Sequence, residues 1–238
     1  MSSEKEHILI TGASQGIGEA IARTFSTALP GATLSLLARN TERLQTVADA
    51  CNKEGADAHI YPCDLTNPDA VKKTCDELLS ESGTPTALIN NAGTFQPGGI
   101  SDTTIEQYRF QMDVNLTSAF LISSQIVPEM ISAGSGHVIF MASVASMRGY
   151  PRGIAYCASK HGLLGLARAI REETKEDGVR VTAILPGATR TASWDGSGFP
   201  DERLMPPEDI AAAVLAAYQM SERTVVEEIL LRPQLGDI

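Results

Sequence analysis

Thr11-Gly12-Ala13-Ser14-Gln15-Gly16-Ile17-Gly18 follows directly on the apolar run His7-Ile8-Leu9-Ile10 and opens a segment with Ile17, Ile21 and Phe25 on one stripe. An apolar run, a glycine-rich turn and an amphipathic segment together spell strand, loop, helix. Gly12 permits a tight turn, Gly16 lets the backbone approach a pyrophosphate, and Gly18 lets helix and strand pack closely. The helix start then offers free N–H groups and a partial positive charge to phosphate. A glycine loop alone is a weak signal, so its weight depends on the rest of the chain.

The same alternation runs throughout. Residues 7–12, 32–39, 57–64, 87–93, 137–143, 180–187 and 227–233 read as strands. Several, such as Val138-Ile139-Phe140-Met141, are continuously apolar, which a strand covered on both faces requires. Helical segments lie between them at 16–28, 41–54, 67–82, 105–133, 150–176 and 207–220. The expectation is an α/β fold: one Rossmann-type domain over residues 1–238, doubly wound, with a mostly parallel seven-stranded sheet and helices on both faces. One loose stretch, 187–206, carries Gly196, Gly198 and Pro200 and reads as a substrate lid.

Composition narrows the partners. The chain has 238 residues, 43% hydrophobic and 20% charged, an ordinary globular mixture. A net charge of −10 argues against nucleic acid and against an anionic membrane surface. The start, Met1 to His7, is polar, and the longest apolar run, 210–218, is far short of the ~18 residues that span a bilayer. Cys51, Cys63, Cys75 and Cys157 are scattered, and the four His form no ligand pattern. Buried thiols in a reducing cytoplasm and no metal site are expected.

The second predicted strand ends in Ala38-Arg39. A fold that binds NAD usually places an acid about 20 residues past the glycines to accept from the ribose 2′-hydroxyl. Here that count lands on Ala38, with Arg39 next, and a guanidinium suits a 2′-phosphate. NADP(H) is therefore the expected cofactor. Gln15 adds no base, so Arg39 is expected to act with little help. Asp64-Leu65 ends the third strand, where Asp64 is placed to accept from an adenine amino group.

Tyr156 and Lys160 stand four apart on a predicted helix, one turn apart on one face. A free phenol has a pKa of about 10, and a nearby ammonium favours its ionised form. The pair alone proves little, but Ser143 lies 13 residues before Tyr156 at the carboxyl end of a strand. Asn90-Asn91-Ala92-Gly93 ends the fourth strand at the same edge, and Asn115 sits inside a helix it does not favour.

Taken together, these pieces resemble the short-chain dehydrogenase/reductases, specifically their single-domain subgroup. The matching pieces are Thr11-Gly12-x-x-x-Gly16-x-Gly18, Asp64, Asn90 to Gly93, Asn115, Ser143, Tyr156-x-x-x-Lys160 and Pro186-Gly187, in family order from residue 7 to about 190. The resemblance implies reduction of a ketone or aldehyde, or the reverse, by hydride transfer. Tyr156 would be the general acid or base, Lys160 would hold the nicotinamide ribose, and Ser143 would bond the substrate oxygen. Asn115 would fix a proton-relaying water, and Pro186, Gly187 and Thr189 would contact the nicotinamide end. Gly12, Ser14, Gln15, Gly16, Ile17, Gly18, Arg39, Asp64, Leu65, Asn91, Ala92 and Gly93 complete the expected cofactor contacts. The family also implies a homodimer or homotetramer.

The tail after the last strand lacks the Gly-Gly of acyl-carrier ketoreductases and looks more like sepiapterin-reductase-like or carbonyl-reductase-like members. An idle dinucleotide sensor or scaffold is the alternative reading, and the complete set Asn115, Ser143, Tyr156 and Lys160 argues against it. The loops expected to line the substrate offer Phe95, Met147, Tyr150, Trp194 and Phe199, with Arg148, Arg152 and Arg190 as the only candidates for binding a carboxylate. An apolar or aromatic carbonyl fits them better than a charged acid.

Overall fold

The computed structural model describes residues 6–196 and 198–237. Met1–Lys5, Ser197 and Ile238 lie outside them, and with them most of the polar start, one position of the 187–206 segment and the last residue of the tail. The strands are β1 (His7–Thr11), β2 (Thr33–Ala38), β3 (Asp57–Pro62), β4 (Ala87–Asn90), β5 (Gly136–Met141), β6 (Val179–Pro186) and β7 (Glu228–Leu231). They form one seven-stranded sheet in the order β3-β2-β1-β4-β5-β6-β7. Every ladder in it is parallel. The helices are α1 (Gly16–Ala28), α2 (Thr41–Lys53), α3 (Pro68–Ser82), α4 (Ile105–Met112), α5 (Ser118–Ala133), α6 (Ile154–Thr174) and α7 (Pro207–Tyr218).

The two-residue period of a strand splits the core into two layers. Ile8 and Ile10 of β1 pack with Phe25 of α1, Leu44 of α2 and Val214 of α7. Leu9, between them, faces the opposite layer with Leu78 of α3, Ile126 of α5 and Leu163 of α6. Both faces of the central strands are dry, so these strands read as continuous apolar runs. The edge strands β3 and β7 alternate in exposure instead. Strand order reverses between β2 and β4 on either side of β1, which opens the crevice where ligands of open α/β sheets bind.

Two expectations shift in detail. The predicted helix 105–133 is interrupted by one wide π-turn, Asp113–Thr117, centred on Asn115. The helix predicted from 150 begins at Ile154, because residues 150–153 turn sharply and Arg152 takes the left-handed conformation at φ 57°. That turn is fixed by Gly98, whose N–H donates to the Arg152 carbonyl at 2.8 Å.

Candidate active site

The glycine loop is held by contacts that leave no room for side chains. A Cβ on Gly18 would stand 2.3 Å from the Gly12 carbonyl oxygen, and one on Gly12, at φ +65°, would stand 2.8 Å from Ala92 Cα. Asn91 Nδ2 donates to the carbonyls of Thr11 (3.0 Å) and Gly12 (3.2 Å). The Thr11 hydroxyl accepts from the N–H groups of Asn91 and Ala92, each at 3.0 Å. The β1 and β4 turns are thus stitched into one rim. The Gln15 side chain does not cap α1, so the first-turn N–H groups of that helix have no side-chain partner. Free first-turn N–H groups at a helix start are the donors that bind phosphate groups.

Along this rim runs a cavity of about 1110 Å³. That is slightly above the ~300–1,000 Å³ usual for small-molecule sites, and suits an extended ligand with room for a second. At one end Ser14, Gln15, Gly16 and Ile17 face Ala38, Arg39, Asp64 and Leu65. Asn91, Ala92 and Gly93 line its middle, and Ser143, Tyr156, Lys160, Pro186, Gly187 and Thr189 the far end. Gly18 and Asn115 are absent from the wall: Gly18 packs behind the loop, and Asn115 is fully buried. Asp64 accepts from the Thr66 N–H (3.0 Å) and hydroxyl (2.8 Å). These bonds, with Arg39 nearby, hold its carboxyl below the usual range.

At the far end, Lys160 is buried and its Nζ donates to the Met141 carbonyl at 2.8 Å. Burial pushes the ammonium down to about 8. It lies 5.8 Å from the centre of the Tyr156 ring. Burial raises the Tyr156 phenol above its ordinary value, only partly offset by a hydrogen bond from Ser143. Desolvation therefore governs the phenol in the protein alone, and the expected lowering by Lys160 has no counterpart there. Ser143 is held in place by the Ala145 N–H, which donates to its Oγ at 3.0 Å.

Asn115 does something the sequence did not foresee. Its Oδ1 accepts from the Thr94 N–H at 2.7 Å, and its Nδ2 donates to the Thr94 carbonyl (2.9 Å) and the Ser159 hydroxyl (3.0 Å). The side chain therefore clamps the β4–α4 loop to α6. Both amide N–H groups are thereby spent, and the side chain keeps only acceptor capacity for a water.

The mouth is built from Phe95, Tyr150 and Trp194, with Phe95 edge-on to Tyr156 at 5.2 Å between centroids. Met147 is half-exposed and does not reach the cavity, and Phe199 packs on Trp194 instead of lining the wall. None of the three expected carboxylate binders is free: Arg148 pairs with Asp237, Arg152 with Asp102, and Arg190 with Asp195 and Asp201. Two charged residues of the wall were missed in the sequence. Arg43, in the first turn of α2, joins Arg39 at the cavity and bonds Gln15. Asp237, in the tail, reaches back over 187 and lines the mouth. Neither carried a sequence signal, because each arrives through tertiary packing.

Among the described residues no group of His, Cys, Asp and Glu is placed to hold a metal, and no helix is long and apolar enough to cross a membrane. Residues 6–198 match the family model described as short chain dehydrogenase. The chain is 36% identical to sepiapterin reductase of Chlorobaculum tepidum, covering 98% of both chains. It is 30% identical to an uncharacterized oxidoreductase of Staphylococcus epidermidis over 98% of this chain and 100% of that one. Among solved structures, it resembles a metagenomic short-chain oxidoreductase in complex with NADP, with TM-score 0.85, 32% identity and coverage of 96% and 97%. It also resembles an alcohol dehydrogenase of the archaeon Thermococcus sibiricus complexed with 5-hydroxy-NADP, with TM-score 0.90, 28% identity and 97% of each chain covered. With the glycine cradle, the parallel sheet and the Ser143–Tyr156–Lys160 cluster joined in one cavity, the chain belongs to the short-chain dehydrogenase family.

Proposed function

We propose that the protein is an NADP(H)-dependent oxidoreductase that interconverts a small-molecule carbonyl and its alcohol, with Tyr156 as the proton-transferring group. The observation that carries this is the meeting of Ser143, Tyr156 and Lys160 at one end of a cavity whose other end presents Arg39. The bound cofactor supplies the hydride. Ser143 donates to the substrate oxygen, and the Tyr156 phenol donates the proton as the carbonyl becomes an alcohol. The phenol, raised by desolvation, stays protonated at neutral pH, which is the form reduction needs. Lys160 holds the nicotinamide ribose, and Asn115 positions the Thr94 backbone beside α6, the helix that carries Tyr156 and Lys160.

Asp237 refines the substrate. Its Oδ1 is buried without a hydrogen-bond partner, while Oδ2 is held by Arg148 and by the Tyr150 hydroxyl at 3.2 Å. A buried carboxylate oxygen that makes no hydrogen bond, with only Arg232 near it at 3.8 Å, suits a substrate with N–H donors at its far end. A pterin, as in sepiapterin, offers such donors beside an aromatic ring. Ala188, Thr189 and residues 191–194 line the cavity, and a bridge joins Thr189 to Met205, which supports reading this segment as a lid over the substrate. The exposed apolar side chains Ile105, Phe110 and Phe120 on α4 and α5 fit a homodimer or homotetramer interface. Four free, buried thiols fit a cytoplasmic setting.

The test is an NADPH-oxidation screen across aromatic ketones, aldehydes, diketones and pterins. Turnover of at least one class, abolished by Tyr156→Phe, supports the reading. NADPH binding with no turnover of any carbonyl would favour the idle sensor.

A further inference from the structure

The cavity's cofactor end carries a second cation that the glycine loop itself lacks. Arg43 Nη1 donates to Gln15 Oε1, bridging the first turn of α2 to the residue just before Gly16. The Arg43 backbone N–H is fixed as well, donating to Asn40 Oδ1 at 2.9 Å in the cap of α2. Gln15, Arg39, Asn40 and Arg43 all line the same wall. Among the described residues Arg43 forms no ion pair, and its one side-chain bond is to a neutral amide. Arg39, by contrast, shares its field with Asp64. An arginine held by a neutral partner keeps its full charge and its remaining N–H donors for a ligand.

We propose that Arg43, held in place by Gln15, is a specificity-determining residue that binds the 2′-phosphate of NADP(H) together with Arg39. This deepens the NADP(H) reading and rests on it. Gln15 then acts as a positioning residue: it supplies no charge but recruits one from α2.

The experiment measures binding of adenosine 2′,5′-bisphosphate and of 5′-AMP by calorimetry, two probes that differ only in the 2′-phosphate. The wild-type chain should prefer the bisphosphate. Arg43→Ala should weaken the bisphosphate about tenfold while leaving 5′-AMP unchanged, the size expected for one charge-assisted contact. Gln15→Ala should lose a smaller part of the same preference. Arg43 is exposed, and thermal unfolding of each variant checks that the fold is kept. Arg43→Gln serves as a second variant if Arg43→Ala fails to fold. A preference that survives in the Arg43 variants but vanishes in Arg39→Ala overturns the proposal and leaves the NADP(H) reading standing. Equal weakening of both probes also overturns it, since Arg43 would then only shape the loop. A wild-type chain without any preference overturns the NADP(H) reading itself.

Discussion

Lys160 Nζ donates to the Met141 carbonyl at 2.8 Å, tying a buried ammonium to the end of β5, two residues before Ser143. Burial holds its pKa at about 8 against 10.5. The unfolded chain keeps the proton to higher pH than the native one. The penalty for burying the charge is therefore full below about 8 and fades as pH rises towards 10.5. Lys160→Met should accordingly stabilise the fold at pH 7, by up to about 3 kcal/mol, while removing activity. Urea unfolding and NADPH turnover measured on the same variant check both halves. A destabilised Lys160→Met would mean that the Met141 contact outweighs desolvation.

Tyr156→Phe keeps the ring that packs edge-on against Phe95 and removes only the hydroxyl. The fold and NADPH affinity should persist while kcat falls by roughly 10²–10⁴-fold. Turnover near the wild-type rate would remove Tyr156 from the chemistry. In the wild type, the oxidation direction should gain as pH rises, because the raised phenol pKa leaves little phenolate at neutral pH.

Cofactor choice has its own test. Ala38 ends β2 without an acid, and Arg39 follows it into the cavity. A charge-assisted contact of roughly 1.5–3 kcal/mol gives a preference for NADPH of about 10- to 150-fold. The double change Ala38→Asp, Arg39→Ala should shift kcat/KM towards NADH. Unaltered preference in the double variant would place the discrimination elsewhere.

The legible part of this protein is the part encoded locally. Val138 to Met141 announces a strand buried on both faces, and Gly12 and Gly18 announce a turn with no room for a Cβ, with Gly16 at a positive φ between them. Tyr156 and Lys160 are tied by helical spacing alone. What stayed hidden depends on the sheet being assembled. Arg43 meets Gln15 across 28 residues only because β2 delivers α2 beside the glycine loop. Asp237 meets Arg148 across 89 residues only because the tail folds back from β7. Asn115 signalled an anomaly in its helix, but its partners Thr94 and Ser159 come from two other elements. Strand ends ran long in the sequence reading because the apolar pattern does not mark where ladder bonds stop.

Acid should weaken the fold through His137. The ring is fully buried, with Nε2 bonded to the Thr182 hydroxyl at 2.7 Å and stacked near Tyr218. Desolvation, with Arg180 adding to it, lowers its pKa from 6.5 to about 3. The neutral ring's contribution is whole above 6.5 and is lost as pH falls towards 3, because the unfolded chain takes up the proton first. Each pH unit in that window costs about 1.4 kcal/mol. Between pH 7 and 5, His137→Gln should show a stability loss smaller than wild type by about 2 kcal/mol. Identical slopes in urea titrations at the two pH values would assign the acid sensitivity to other groups.

Asp237 offers the sharpest test of substrate class. Its side chain is 13% exposed, one oxygen is held by Arg148 and Tyr150, and the other has only Arg232 at 3.8 Å. A buried acceptor left unpaired costs about 1–3 kcal/mol, and a substrate N–H that satisfies it recovers that cost on binding. Asp237→Asn keeps the shape, removes the charge and loosens the pair with Arg148. For a pterin or another substrate with N–H donors at its far end, KM should rise about tenfold with kcat nearly unchanged, the signature of lost uniform binding. A plain aromatic ketone, which never reaches that oxygen, should keep its KM. If both substrates suffer equally, Asp237 acts only by holding the 144–153 loop through Arg148, and the substrate's far end is recognised elsewhere.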